Sequence, residues 1–220
     1  MPTGQERANS ANLHSARQIV LASSNPGKVR EISELLYGLD TGIIPQSEFT
    51  TPDIDESGLT FVENAILKAR NAAHYCGLPS IADDSGLEVD ALNGAPGIYS
   101  SRYAGINATD EDNVQKLLTD LGGVPEYRRS ARFQCVMVYM AHEFDPTPVI
   151  CQGTWEGSIL FAPRGTNGFG YDPIFYVPTH YCSSAELPAE VKNLISHRAQ
   201  ALRKLIAALR ACNPLRGSSE

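Results

Sequence analysis

Residues 18–36 read QIVLASSNPGKVREISELL, and this stretch decides the fold class. Gln18 to Ser23 is a short apolar run and reads as a strand. The polar loop SSNPGK follows at once. Beyond it Val29, Ile32, Leu35, Leu36 and Leu39 recur at helical spacing and line one face. Ser24 or Asn25 is placed to cap that helix. Pro26 is its first residue, where a missing N–H costs nothing. A strand that feeds a helix through a tight loop is a building unit of α/β proteins.

The pattern repeats outward from this unit. Thr60-Phe61-Val62-Glu63 is a capping-box sequence, and Gly77 is a natural stop for the helix it opens. Pro79 to Asp84 reads as a strand, broken by a Ser85-Gly86 turn before Leu87 to Val89 continues extended. Thr109 to Leu121 reads as a helix and Ala131 to Ala141 as a strand. Val149 to Thr154 and Gly157 to Phe161 read as hairpin partners around Trp155-Glu156. A glycine-rich loop, PRGTNGFGYDP, spans residues 163–173, and a last helix runs from about Ser196 to Arg210. The expected fold is α/β with a mixed sheet.

Bulk composition bounds the function. The chain has 220 residues, 42% apolar and 20% charged, enough to bury a large core. The formal charge of −7 argues against a protein that coats nucleic acid. An anionic ligand therefore needs a local field from lysines, arginines or a metal. Five widely spaced cysteines without CxxC suit a reducing cytoplasm better than a disulfide framework. The longest apolar run, Cys135 to Ala141, is too short to span a bilayer. Residues 1–17 are polar and lack the apolar centre of a secretory signal; they read as a disordered extension, and residues 212–220 as a flexible tail.

Five places carry candidate chemistry. SSNPGK sets free backbone N–H groups and Lys28 at a helix start, a geometry that suits phosphate as well as ordinary capping. It departs from a Walker A loop at Ala22 and Val29. Asn64 and Lys68 lie four apart and share a helix face near Glu56 and Glu63. The adjacent acids Asp83 and Asp84 close an apolar strand, where α/β proteins keep their sites, and suggest a hard-cation ligand. In an extended chain they point to opposite faces. Gly168 to Pro173 can bring backbone and an aromatic face close to a flat ligand. Arg198 opens a helix with the wrong sign for its dipole, so it needs another partner.

Together these segments resemble the inosine triphosphate pyrophosphatase family, and within it the bacterial dITP/XTP pyrophosphatase branch. The segments are SSNPGKVREI, ESGLTFVENAILKAR, IADDSGLEVDALNGAPGIYSSRYAG, GFGYDPIF and KNLISHRAQAL, in order from Gln18 to Arg210. The resemblance implies an elongated mixed sheet flanked by helices, in two lobes around a central nucleotide-binding cleft, in a single domain of residues 18–211. It implies Mg²⁺-dependent cleavage of ITP, dITP or XTP between the α and β phosphates, by a cytoplasmic homodimer that binds neither nucleic acid nor membrane. Asp84 is then the catalytic base and a metal ligand, with Glu56 as second ligand. Ser23, Ser24, Asn25, Pro26, Gly27 and Lys28 hold the triphosphate, with Lys68 as a further phosphate contact and Ser85 touching substrate. Phe169, Gly170, Tyr171, Asp172, Lys192, His197 and Arg198 form the nucleoside end. Arg198 and Lys192 are the favoured donors to a 6-oxo purine, with backbone N–H groups as rivals. Asp83, on the other face, is expected to pair with a lysine or to accept backbone N–H groups. The chain departs from the family at Ser23-Ser24 (often Thr-Gly), at Ala199 (often Gly) and at Tyr181-Cys182. Two other readings stay open: a pyrophosphatase for pyrimidine or oxidised nucleotides, and a non-catalytic nucleotide-binding module.

Overall fold

The structure is a computed structural model that describes residues 17–36, 41–52 and 54–211. The expectations for the extension before Arg17, for Leu39 and for the tail from residue 212 lie outside the described residues. Among the described residues seven strands form one sheet: β1 (Arg17–Ala22), β2 (Thr41–Pro45), β3 (Ser80–Val89), β4 (Ser130–Met140), β5 (Val149–Ile159), β6 (Phe175–Val177) and β7 (Cys182–Ser183). Their order is β2-β1-β3-β4-β5-β6-β7. The pairs of β1 with β2 and β3 are parallel, and all others are antiparallel. The sheet is mixed, as the sequence predicts.

Among the described residues five α-helices flank it: α1 (Pro26–Leu36), α2 (Phe61–Cys76), α3 (Asp110–Asp120), α4 (Ala189–Ile195) and α5 (His197–Ala211). Their ends follow local chemistry. Asn25 Oδ1 accepts from the Lys28 N–H at 3.1 Å, so Asn25 caps α1. Thr60 caps α2 by accepting from Glu63 N, and Gly77 ends it in the left-handed conformation at φ 64°. Thr109 and Asp112 close a full capping box on α3.

The core divides by sheet face. Ile32 of α1 and Leu202 and Leu205 of α5 pack on Leu21, Ile81 and Met137. On the opposite face the alanines Ala65, Ala69 and Ala72 let α2 lie close against Val20, Ala82 and Val138. A third cluster joins Leu117 of α3 to Leu87, Phe133, Trp155 and Phe175. Ile81 and Asp83 thus share the α1/α5 face, while Ala82 and Asp84 share the α2 face.

Two expectations are corrected. The Ser85-Gly86 turn is absent, since β3 runs unbroken from Ser80 to Val89. Nor is there a hairpin at Trp155-Glu156: β5 is continuous through it and pairs with β4, Trp155 opposite Phe133. In each case glycine marks a close approach instead of a turn. A Cβ on Gly86 would strike the Gly97 carbonyl, one on Gly153 the His197 carbonyl, and one on Gly157 the Tyr176 carbonyl.

Candidate active site

The last pair of the parallel β1–β3 ladder is Ala22 with Ala82. There β1 turns away through Ser23, Ser24 and Asn25 into α1, and β3 runs on alone on that side as Asp83 and Asp84. The loop and the two acids meet for this reason. A cavity of about 440 Å³ opens at this point. Its walls include Ser23, Ser24, Asn25, Lys28, Glu56, Lys68, Asp84, Ser85, Phe169 to Asp172, Lys192, His197 and Arg198. Of the residues that the resemblance assigns to substrate or metal, Pro26 and Gly27 lie off the wall. Gly27 instead lies under the Phe169 ring, and a Cβ there would meet it at 2.8 Å.

Asp84 faces the α2 side of the cavity. Lys68 Nζ lies 2.8 Å from its Oδ1, and Asn64 Nδ2 donates to its Oδ2 at 3.4 Å. Asn64 and Lys68 act together because one helical turn separates them. Asn64 is fixed in turn by accepting from Gly58 N at 2.8 Å. Lys68 Nζ also lies 3.1 Å from Glu56 Oε1. Burial pushes the Asp84 carboxyl above the ordinary aspartate range, against the pull of Lys68 and Lys28. Burial pulls Lys68 the other way, but Asp84, Asp83 and Glu56 more than offset it and keep the ammonium charged.

Asp83 faces away, toward α1 and α5, and is buried. It pairs with Lys28 at 3.1 Å, as expected of it. Burial would raise its pKa, but Lys28, Arg198 and Lys68 hold it far below the usual carboxylate range. Asp84 lines the cavity and Asp83 does not.

The other end of the cavity is a charge lattice. Lys192 Nζ lies 2.8 Å from Glu31 Oε1 and 2.6 Å from Asp172 Oδ2. Arg198 is fully buried; its NH1 donates to Glu31 and its NH2 to Ser85 Oγ at 3.1 Å. The partner that the helix dipole demands for Arg198 is therefore Glu31, with Asp83 beyond it. Phe169 stands over both cations, 5.4 Å from Lys192 Nζ and 5.6 Å from Arg198 Cζ. Asp172 Oδ2 accepts from Phe169 N at 3.0 Å and fixes the loop under the ring. Gly168 and Gly170 adopt φ of 79° and 60°, which only glycine enters cheaply. His197 stacks on Phe133 at 4.8 Å. Burial and the cations Arg198 and Lys192 drive its pKa well down, so it is a neutral wall.

Glu31 and Asp110 belong to this site, and neither stands out in the sequence. Glu31 sits one turn after Lys28 on α1, the only available signal. Asp110 starts α3 and accepts from Gly170 N at 2.7 Å, tying that helix to the aromatic loop.

Lysines beside a carboxylate pair at one end and an aromatic ring over two buried cations at the other define a class: an α/β protein whose cleft takes an anion with a flat group attached. The chain belongs to the Ham1 family, whose profile matches residues 19–208. It is 59% identical over 193 residues to the dITP/XTP pyrophosphatase of Vibrio cholerae serotype O1, covering 88% of this chain and 96% of that protein. The dITP/XTP pyrophosphatase of Coxiella burnetii is 58% identical over 192 residues, covering 87% and 96%. Among solved structures, a HAM1 protein from Coxiella burnetii superposes with a TM-score of 0.83 at 57% identity, covering 89% of this chain and 99% of that one. The Staphylococcus aureus Ham1 protein gives 0.79 at 45% identity, covering 90% and 100%. The resemblance read from the sequence motifs is borne out.

Proposed function

We propose that this chain is a nucleoside triphosphate pyrophosphatase that hydrolyses ITP, dITP and XTP to the monophosphate and pyrophosphate. The observation that carries the reading is Asp84, held between Lys68 and Asn64 on the wall of a nucleotide-sized cavity. Relatives that share more than half their residues with this chain bear the name dITP/XTP pyrophosphatase, which supports the substrate class.

Lys28, Lys68 and the backbone N–H groups at the start of α1 supply the positive field that a protein of net charge −7 lacks. Asp84 is the base that takes a proton from the attacking water, and its raised pKa suits that task. Water oxygen bonds to phosphorus as the bridging P–O bond between the α and β phosphates breaks. Pyrophosphate leaves with the electron pair, and Lys28 and Lys68 stabilise its charge.

The residues fit Mg²⁺. Glu56 and Asp84 already converge on one cation, the Lys68 ammonium. No cluster of three or more His, Cys, Asp or Glu fit for a metal occurs among the described residues. The remaining ligands are then phosphate oxygens and water, as magnesium prefers. When bound, the ion supplies charge neutralisation and Lewis acidity at the phosphates.

At the nucleoside end Lys192 has three N–H donors and two carboxylate partners, so one donor is left for a 6-oxo group. Arg198 is the second base-reading residue. A 6-amino purine leaves such buried donors facing another donor, and that penalty is the source of selectivity over ATP. A cytoplasmic homodimer completes the reading. The free thiols of Cys76, Cys135, Cys151 and Cys182 suit a reducing compartment. Among the described residues no helix is long and apolar enough to cross a membrane. The test is pyrophosphate release across a panel of purine, pyrimidine and oxidised triphosphates, with and without Mg²⁺. Preference for dITP, ITP and XTP supports the proposal. Preference for a pyrimidine or oxidised nucleotide, or no turnover, overturns it.

A further inference from the structure

Asp83 is shared by the two ends of the cavity. Its Oδ2 lies 3.1 Å from Lys28 Nζ and 3.6 Å from Arg198 Nε, and it also accepts from Ser85 Oγ at 3.2 Å. Meanwhile Asp83 Oδ1 and Arg198 Nε are both buried and have no hydrogen-bond partner among the described residues. Three donor groups compete for one oxygen, while the second oxygen and the nearest N–H stand idle. A carboxylate can serve two cations through its two oxygens, as Glu31 does for Lys192 and Arg198, but at Asp83 both cations approach Oδ2 and Oδ1 is left unpaired, and unpaired polar atoms in a low-dielectric site are costly. At 3.6 Å the Arg198–Asp83 contact is too long for a hydrogen bond, while Lys28 and Ser85 lie closer to the same oxygen.

Lys28 sits at the phosphate end, and Arg198 lies beside Phe169 at the base end. A polyphosphate that draws Lys28 toward itself leaves Asp83 to Arg198 alone. The Nε–H then closes on the carboxylate, and the guanidinium is fixed next to the aromatic ring. We propose that Asp83 is a positioning residue that couples the two ends, so that occupying the phosphate subsite tightens the base subsite. By linkage the coupling is reciprocal, and a bound base eases the release of Lys28. This rests on the function proposed above, and it deepens that reading: base selection is strengthened once phosphate is bound.

The experiment splits the substrate into two fragments, inosine and inorganic pyrophosphate, and measures binding to the full chain by calorimetry in the presence of Mg²⁺. Saturating pyrophosphate is expected to lower the Kd of inosine about tenfold, and saturating inosine to lower that of pyrophosphate by the same factor. In Asp83→Asn each fragment still binds, and the factor falls to about one. Lys28→Met removes the competitor, so inosine alone binds it nearly as tightly as it binds the pyrophosphate-loaded parent. Should Asp83→Asn fail to fold, the parent cycle and Lys28→Met decide. Independent binding of the two fragments to the parent overturns the coupling and leaves the site reading intact. Failure of both fragments to bind overturns the site reading, and the coupling with it.

Discussion

Lys68 Nζ lies 2.8 Å from Asp84 Oδ1, and this ion pair keeps a buried acid ionised at the cavity wall. Burial penalises the charged carboxylate, so its folded pKa lies above the unfolded one. For an acid that sign means the ionised form weakens the fold at neutral pH. Asp84→Asn is therefore expected to lower turnover by about 10²- to 10⁴-fold without lowering Tm. Near-normal turnover at saturating Mg²⁺ would remove Asp84 from the role of base.

Removing the other partner has the opposite effect on stability. Lys68→Met leaves Asp84 and Glu56 facing each other with no cation between them, and breaking such a pair costs about 3–5 kcal/mol when it is fully buried, less at this partly open wall. Thermal unfolding is expected to show a clear drop in Tm. Added Mg²⁺ should raise the variant's Tm more than the parent's, because the dication then meets both carboxylates without competition. Equal Mg²⁺ shifts in the two proteins would show that these carboxylates do not hold the ion.

The pH dependence has two separate parts. With Asp84 as the proposed base, the acid limb of kcat/KM should lie above the ordinary aspartate value of about 3.9. Stability depends first on His197, whose imidazole burial keeps neutral in the fold. As pH falls below about 6.5 the unfolded chain gains a proton there that the folded one refuses, and stability declines. Asp83 and Glu31, both held below their ordinary values, add stability that is lost only at lower pH, as the pH falls through their depressed folded values. Tm measured against pH should slope downward from about 6.5, and His197→Gln should flatten that slope. An unchanged slope would assign it to other groups.

Much of this was legible in the chain. A cap at Ser24 or Asn25, the Thr60 and Gly77 helix ends and the opposite facing of Asp83 and Asp84 follow from local rules, and all are present, the cap at Asn25. The glycines misled, because a strand glycine that admits another backbone looks the same in sequence as one that makes a turn. Glu31 was hidden for a different reason. Its partners Lys192 and Arg198 lie 161 and 167 residues away, and no local pattern announces such a pairing.

Gly153 tests that lesson directly. A Cβ there would collide with the backbone of His197 and Ala201, the first turns of α5. Gly153→Ala is expected to destabilise the fold by about 1–3 kcal/mol. It should also raise KM, since displacing α5 displaces Arg198. A variant with parent stability and parent KM would mean that α5 is not pressed against the sheet at this point.

The bond that is cut is read directly from the products. With dITP and Mg²⁺, phosphorus NMR of the completed reaction is predicted to show dIMP and pyrophosphate in equal amounts, with no orthophosphate. Accumulation of dIDP and orthophosphate would place the cut at the γ phosphate and contradict the account.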